Sequence, residues 1–392
     1  MGCMKHRRAL FALIAMISLA SSSGLAQNDK KMSDQQKKEI QNIVKIVDDL
    51  AAGQNAPNDL SLAWVREDFL KAQGNKQYVP FTVSIDASKL APNATAVALY
   101  WRVVAKDGAP EPAATTGQKK DDKKDKDKKK DYAYEDITFV PITVQTPPQA
   151  TTTATTTTTG KTTTTTATTT IAPGGTASAA GTNGVMRVAR SFTVPAGTYD
   201  VYLVAKEPTP EKPPKNAPPP KTSAIKQTVT VPDFWNGELA TSTVIVAQRI
   251  DPLPAPLTPQ QQADRPYALG TMEIAPVYDL KFKKMSELST FMLIYNPKTD
   301  SANKPDVVVE YNFYQKPAGQ PEKFFNKTNP QNLNAQTLPP QFDLAAGHQL
   351  QSGQAVPLAS FPEGDYRLEI KVTDKIANKT LTRDVNFSVN PS

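Results

Sequence analysis

Cysteine and histidine are almost missing from this sequence of 392 residues, which has one Cys and two His. Cys3 and His6 lie in the first 26 residues, so the rest of the chain keeps only His348. That part can form no disulfide, no thiolate nucleophile and no zinc site of paired cysteines or histidines. A serine triad would depend on His348, which we interpret as a surface residue of the loop-like stretch AAGHQLQSGQ. We predict no enzyme activity, catalytic residue, cofactor or metal site.

Long hydrophobic runs are also scarce. The one clear run, Leu10 to Ala20, follows a basic start and precedes Gly24-Leu25-Ala26, with small residues at −3 and −1 of a cut before Gln27. This is the three-part pattern of a secretory signal, and the run is short for a membrane-spanning helix. The alternative is an uncleaved N-terminal anchor. We expect a signal peptide over 1–26, export to the periplasm, cell surface or medium, and no membrane span after cleavage.

The net charge of +7 comes largely from two places. Three basic residues belong to the signal, and the run from Gln118 to Asp131 adds eight Lys against five Asp. The remainder is nearly neutral, so we predict no binding to nucleic acid.

Low-complexity sequence explains the high count of 34 prolines and a threonine tract. We predict three inserts, at 114–131, 147–184 and 206–221, that bury too little apolar area to offset their ordering entropy. The first two should be disordered and the proline-rich third extended. The threonine tract is either a glycosylated stalk or a neutral loop expansion.

One helix is predicted over Ser33–Ala52, because apolar residues recur at three and four positions and Gly53 follows. The helix either docks a partner or covers an edge or end of the adjacent domain, and we favour the second interpretation. From Leu60 the apolar period becomes two, which is typical of β-strands. Strands are predicted at 78–86, 97–104, 137–144, 185–194, 199–205 and 225–231. Short alternating strands separated by turn residues favour an all-β antiparallel sandwich.

The second half repeats this pattern. PAGTYDVYLVA (Pro195 to Ala205) aligns with PEGDYRLEIKV (Pro362 to Val372), and both contain P-x-G-x-Y. Upstream, Phe81 and Trp101 are twenty residues apart, as are Phe291 and Tyr311. We interpret this as one β unit used twice, with the inserts confined to the first copy.

The repeated Gly197-x-Tyr199 and Gly364-x-Tyr366 resemble the tyrosine corner of immunoglobulin-like and fibronectin-III-like domains. The resemblance implies two tandem antiparallel Ig-like β-sandwiches in which each tyrosine bonds back to the backbone. Val201 and Leu368 then replace the second core cysteine. Trp101 takes the place of the buried strand-C aromatic, with Tyr311 or Phe313 as its counterpart.

The segment from Thr241 to Asn296 resembles the β-rich region of exported bacterial proteins of the GWxTD type and the von Willebrand-A-associated type. The Gly-Trp-x-Thr-Asp motif is absent, so this resemblance implies export and no activity.

The expected domains are listed here: 1–26 signal peptide, 27–59 helical segment, 60–232 first Ig-like sandwich, 233–270 strand plus extended Pro-rich connector, 271–392 second Ig-like sandwich.

Two kinds of candidate site remain. Tryptophans can form a flat sugar platform, which makes Trp64, Trp101 and Trp235 candidates. Trp101 alternates with core positions, and Trp235, before the turn dipeptide Asn236-Gly237, is the better candidate. Asp300, Asn303 and Asp306 could hold calcium, although ordinary polar turns have the same composition.

We predict an exported, non-enzymatic scaffold or protein-interaction module of the cell envelope, whose partner is an unidentified envelope protein or glycan. The alternative is a carbohydrate-binding accessory protein, and a third hypothesis is a carboxylate-dependent glycan hydrolase.

Overall fold

The computed structural model describes residues 34–92, 94–106, 132–142, 151–159, 162–170, 184–210 and 216–391. The signal peptide and the first predicted insert, 114–131, lie outside these residues, as do parts of the other two inserts. One long helix spans Asp34–Ala51 and a short one Pro259–Asp264. The strands are β1 Ala63–Glu67, β2 Leu70–Ala72, β3 Lys76–Asp86, β4 Ala96–Ala105, β5 Tyr134–Pro141, β6 Thr151–Thr159, β7 Thr162–Thr170, β8 Val185–Val194, β9 Gly197–Lys206, β10 Thr222–Val231, β11 Ala240–Thr241, β12 Ile245–Pro252, β13 Ala268–Leu269, β14 Met272–Pro276, β15 Lys281–Lys283, β16 Glu287–Tyr295, β17 Val307–Lys316, β18 Lys323–Lys327, β19 Gln331–Leu333, β20 Leu350–Pro357, β21 Gly364–Asp374 and β22 Lys379–Asn390.

Two antiparallel sheets form the first module, which we define as residues 63–231. In one sheet β3 pairs with β1, β2 and β8, and in the other the order is β10-β9-β4-β5. Alternate residues of both sheets point into one shared core, as the period-two sequence predicts. Phe81 and Trp101 meet edge to face in this core, with ring centroids 5.9 Å apart.

The strand β4 is buried on both faces, and the long helix is the reason. Val97, Leu99 and Trp101 enter the shared core, while Ala98 and Tyr100 lie on the other side with Ile43 and Val47 of the helix. The helix therefore covers the outer face of a sheet, whereas the sequence predicted an edge or an end. Its apolar stripe explains why β4 has apolar residues at consecutive positions.

The second module, residues 240–390, also contains two sheets around one core. One has the order β11-β16-β12-β14-β13 with β20 paired to β16, and the other has the order β15-β22-β21-β17-β18 with β19 paired to β17. All pairs are antiparallel except β15 with β22. In the part of the chain that is described, this is a mostly β protein of several sheets.

The two modules repeat the same strand pairings. The pair β3–β8 corresponds to β16–β20, and the run β10-β9-β4-β5 corresponds to β22-β21-β17-β18. Trp101 lies opposite Leu203, four residues after Tyr199, and Tyr311 lies opposite Ile370, four residues after Tyr366. Tyr311, and not Phe313, is therefore the counterpart of Trp101.

The two motif tyrosines have matching surroundings. The hydroxyl of Tyr199 donates to the carbonyl of Pro195 at 3.0 Å, and that of Tyr366 donates to the carbonyl of Pro362 at 2.7 Å. Both side chains are fully buried, and burial raises the pKa of Tyr199 to about 12. Gly197 and Gly364 have φ values of 149° and 139°, a conformation that favours glycine and explains its place in P-x-G-x-Y.

Removing either corner hydroxyl should weaken the fold. We expect Tyr199→Phe and Tyr366→Phe each to lower the free energy of unfolding by about 1 kcal/mol, because each leaves a backbone carbonyl without its donor. Urea unfolding measures the loss, and Tyr314→Phe is the control, because that ring is only partly buried and packs edge to face with Phe324. Unchanged stability in both corner variants would contradict the structural role of the motif.

The segment 233–270 differs from the predicted extended connector. β11 and β12 pair with β16, and β12 also pairs with β14, so these strands belong to the second module. Within the proline-rich part, Pro259–Asp264 is helical, and Thr258 and Gln261 form a reciprocal capping box at its start. Proline at the first helical position is compatible with a helix, because that N–H has no intrahelical partner.

Within the threonine tract, β6 and β7 pair as an antiparallel ribbon, and the disorder predicted for the insert 147–184 stays a prediction. Threonine is β-branched and favours extended backbone. The insert predicted from residue 206 begins one residue later, because Lys206 ends β9 and is buried.

Two of the inserts leave the first module at the same end, which we call the insert end. The amide of Ala87 donates to the carbonyl of Gly184, where the chain returns after the threonine tract. The carboxylate of Glu207 accepts from the amide of Ala91 at 2.6 Å and from that of Lys221 at 2.9 Å. Glu207 thereby ties the two sides of the proline-rich insert to the turn between β3 and β4.

The two modules are joined by a third apolar cluster, the junction. It packs the outer faces of β2 and β3 on those of β12, β14 and β16. Because β16 also lines the second core, it is buried on both faces, like β4. The buried members of the junction are Leu70, Ala72, Tyr78, Phe234, Ile245, Ala247, Tyr267, Leu269, Met272, Ile274, Phe291, Leu293 and Tyr295.

Candidate functional site

A cleft of about 650 Å³ opens beside the junction, within the size range of small-ligand sites, which often lie where domains meet. Both modules and the segment between them line it, so we call it the junction cleft. Its walls contain Lys71 to Gln73 from the first module, Trp235, Ile294 to Pro297, Thr299, Asn303 and the loop Asp343 to Leu350.

Trp235, the sequence candidate, lies in this cleft and is 40% exposed. Its indole N–H donates to the carbonyl of Lys76 at 3.0 Å, and its backbone N–H donates to the Asp233 carboxylate at 2.8 Å. The ring orientation is therefore fixed from the first module. Because the indole N–H is already bonded, the ring offers its apolar surface to a ligand.

Asn296 holds the cleft together at the end of β16. Its side-chain amide donates to the carbonyls of Phe234 and Glu238, at 3.0 and 2.9 Å, on either side of Trp235. Its side-chain oxygen accepts from the Lys71 ammonium at 2.8 Å. With φ at 55°, its backbone adopts the left-handed conformation that asparagine tolerates.

Lys71 carries the positive charge of the cleft. Its ammonium nitrogen lies 4.2 Å from the centre of the Trp235 ring, within range of a cation–π interaction. Its backbone N–H donates to the Tyr295 hydroxyl at 3.0 Å. Partial burial lowers the pKa of Lys71 from its ordinary value, against the opposing effect of Asp233. Burial raises the pKa of Tyr295, so that hydroxyl stays protonated.

The opposite wall is a closed loop around His348. The amide of Asp343 donates to Nδ1 of His348 at 3.0 Å, and the amide of His348 donates back to the carbonyl of Asp343 at 3.1 Å. A neutral imidazole that accepts at Nδ1 carries its proton on Nε2, which leaves no lone pair for a general base. His348 therefore braces a loop, and it lines the cleft.

The other sequence candidates lie elsewhere. Trp101 is 2% exposed in the first core, and Trp64 stacks on Phe81 with ring centroids 4.9 Å apart. Asp300 uses one carboxylate oxygen to accept from the amides of Ala302 and Lys304, both at 2.9 Å, as in a polar turn. Asn303 is the exception among these candidates, because it borders the cleft, and its backbone N–H donates to the carbonyl of Asp300 at 3.0 Å.

Within the described ranges, no cluster of three or more His, Cys, Asp or Glu has the geometry to hold a metal ion. A search of the same residues for helices finds none with the length and apolar content that crossing a bilayer requires.

No protein-family model matches the sequence, and no curated protein is significantly similar to it. Solved structures that resemble it include α2-macroglobulin of Escherichia coli in its native conformation (10% identity, TM-score 0.19) and after trypsin activation (10% identity, TM-score 0.20). Each alignment covers 86% of this chain, and 16% and 17% of the respective macroglobulin chain. A mutant of Salmonella α2-macroglobulin is similar to the same extent, with 10% identity and a TM-score of 0.17 over 85% of this chain and 17% of that one. This chain thus spans less than a fifth of those proteins.

The sequence proposed Trp235 as a ligand candidate, and it did not indicate the other residues that line the cleft with it. Lys71, Asn296 and the loop around His348 come from three distant parts of the chain and meet only through the junction. The one local signal is the polar Asn296-Pro297 pair directly after the apolar strand β16, a sequence typical of a turn.

Proposed function

We propose that this chain is an exported, non-enzymatic scaffold of the cell envelope, built from two tandem immunoglobulin-like sandwiches. The matching strand pairings and the hydrogen-bonded Tyr199 and Tyr366 support the immunoglobulin-like assignment. The signal-like pattern over 1–26 supports export, and the shortage of histidine and cysteine supports the absence of catalysis.

The observation that carries this proposal is the buried junction. A scaffold must hold its binding surfaces at a fixed spacing. Here Asp68 of the first module is fully buried and accepts from the hydroxyl of Tyr267, which the second half of the chain supplies, at 2.7 Å. Arg66 donates to Asp68 at 2.6 Å and to the carbonyl of Val277 at 3.1 Å. Polar groups bonded inside an apolar cluster fix one relative orientation of the two modules.

Equivalent edge strands are the proposed docking surfaces for an envelope protein. β5 ends its sheet beside β4, and β18 ends the corresponding sheet beside β17. Each has an exposed phenylalanine: Phe139 is 39% exposed and Phe324 is 57% exposed. An edge strand offers unpaired backbone groups that a strand of a partner can complete, and an exposed aromatic residue adds apolar contact.

Photo-crosslinking in the host cell tests this proposal. A crosslinkable phenylalanine analogue at Phe139 or Phe324 should give an adduct with a protein of defined mass in the envelope fraction. The same analogue at Thr382, which is exposed on the outer face of β22, should give none. Equal labelling at all three positions, no adduct at either edge, or a chain confined to the cytoplasm would overturn it.

A second function, as a carbohydrate-binding accessory protein, is favoured by the position of Trp235. Its ring is exposed and oriented within a cleft that polar side chains surround. Pull-down on envelope polysaccharides should retain the protein and should lose the Trp235→Ala variant. Equal retention of both would remove this candidate.

A further inference from the structure

The junction cleft has three features of a ligand-binding site, and the first is a flat apolar surface beside a positive charge. Trp235 is fixed by its hydrogen bond to Lys76, and 40% of it remains exposed although Lys71 lies over its ring. The C–H face of a pyranose ring carries partial positive charge and packs well on the negative face of an indole.

The second element is the ammonium group of Lys71. In the part of the chain that the structure describes, it forms no close ion pair; it donates to the Asn296 side-chain oxygen, lies over the Trp235 ring, and interacts with Asp233 only at longer range. An ammonium has three N–H donors, and one is taken by Asn296. Partial burial of the ammonium outweighs the attraction of Asp233 and lowers the pKa of Lys71. A ligand carboxylate would give the ammonium a close counter-charge.

The third element consists of hydrogen-bonding groups suited to hydroxyls. Asn303, Asp343 and His348 line the cleft together with Lys71. One oxygen of Asp343 accepts from the amide of Ala345, and a carboxylate is a good acceptor for sugar hydroxyls. An acidic peptide can supply a carboxylate to Lys71, but it has no pyranose ring to pack against Trp235 and no ring hydroxyls for Asp343.

We infer that the junction cleft binds a carboxylated saccharide of the uronic-acid type, with its carboxylate on Lys71 and a sugar ring against Trp235. This inference rests on the carbohydrate-binding function proposed above. It adds the ligand class and assigns Lys71 as the residue that selects the acidic sugar.

Titration calorimetry of the purified protein tests this inference with three probes: hexagalacturonate, the neutral maltohexaose and the peptide hexaglutamate. Hexagalacturonate should bind at least tenfold more tightly than either control probe, and rising salt should weaken it. We expect Lys71→Met and Trp235→Ala each to weaken binding at least tenfold. Lys327→Met, which changes an exposed lysine of β18 outside the cleft, should leave it unchanged.

A further variant tests the cleft without removing any contact on which folding depends. Ala346→Glu alters an exposed residue on the opposite wall of the cleft, and its added negative charge should weaken hexagalacturonate binding several-fold. Equal affinity for maltohexaose, tighter binding of hexaglutamate, or unchanged binding in Lys71→Met would overturn the inference. Retention on envelope polysaccharides without hexagalacturonate binding would also overturn it and would leave the general carbohydrate-binding function standing.

Discussion

Replacing Asp68 by alanine is expected to lower the free energy of unfolding by about 3–5 kcal/mol, the usual cost of breaking a buried charge pair from one side. The carboxylate is fully buried and accepts from Arg66 and Tyr267. Its removal leaves a guanidinium with little exposure and a buried phenol without a partner. Burial and the nearby Asp68 charge raise the pKa of Tyr267, so the phenol stays a neutral donor.

Because the lost bond from Tyr267 to Asp68 joins the two modules, the Asp68→Ala variant should also uncouple them. We expect calorimetry to resolve two transitions where the wild-type protein gives one. Asp384→Ala is the matched control, since that carboxylate is 50% exposed in its pair with Arg367, and its loss should cost at most about 0.5 kcal/mol. Equal destabilisation by the two variants would contradict the role given to the junction.

Removing Glu39 is expected to cost a similar amount, about 3–5 kcal/mol. Glu39 on the long helix pairs with Lys206 of β9, and their side chains are 6% and 8% exposed. The Lys206 ammonium also donates to the carbonyl of Glu207 and to the hydroxyl of Thr209, both at 3.2 Å. In Glu39→Ala the helix can leave, but the ammonium stays fixed in the sheet without its counter-charge.

Limited proteolysis of the Glu39→Ala variant should therefore cut within the long helix at protease concentrations that spare the wild type. The double variant Glu39→Met and Lys206→Met is the control, because apolar side chains of similar length can fill the space of a buried ion pair. It should recover most of the lost stability. A double variant as unstable as Glu39→Ala would show that the pair does not act through its charge.

The sequence predicted much of the strand content, because alternation of apolar residues records which face of a strand is buried. The second copy was found through P-x-G-x-Y, whose glycine and tyrosine each have a local geometric reason to recur. The equal spacing of the aromatic residues in the two copies was less informative about which face of its strand each residue occupies. Phe81 lies in the first core, whereas Phe291, at the same spacing, lies in the junction. A spacing says nothing about the turns between two strands, and those decide which side each residue faces.

The structure of the segment 233–270 and the position of the junction cleft could not be predicted from the sequence, for different reasons. The prolines after β12 favoured an extended segment, although Thr258-Pro259 with Gln261 is a recognisable helix start. For the cleft, Trp235 was visible because it precedes a turn dipeptide. Lys71 was one of many lysines in the sequence, and only its position over the indole ring distinguishes it. Tertiary contacts of this kind leave no periodic trace.

The distance of the insert end from the junction cleft has a consequence for how the chain can vary in length. The chain returns from the threonine tract at Gly184, which is hydrogen-bonded to Ala87, the residue that follows the end of β3. Trp235 contacts Lys76, the first residue of the same strand. The 11 residues of that strand separate the two points by about 35 Å. A change in the length of the tract should therefore leave the geometry of the junction cleft unchanged.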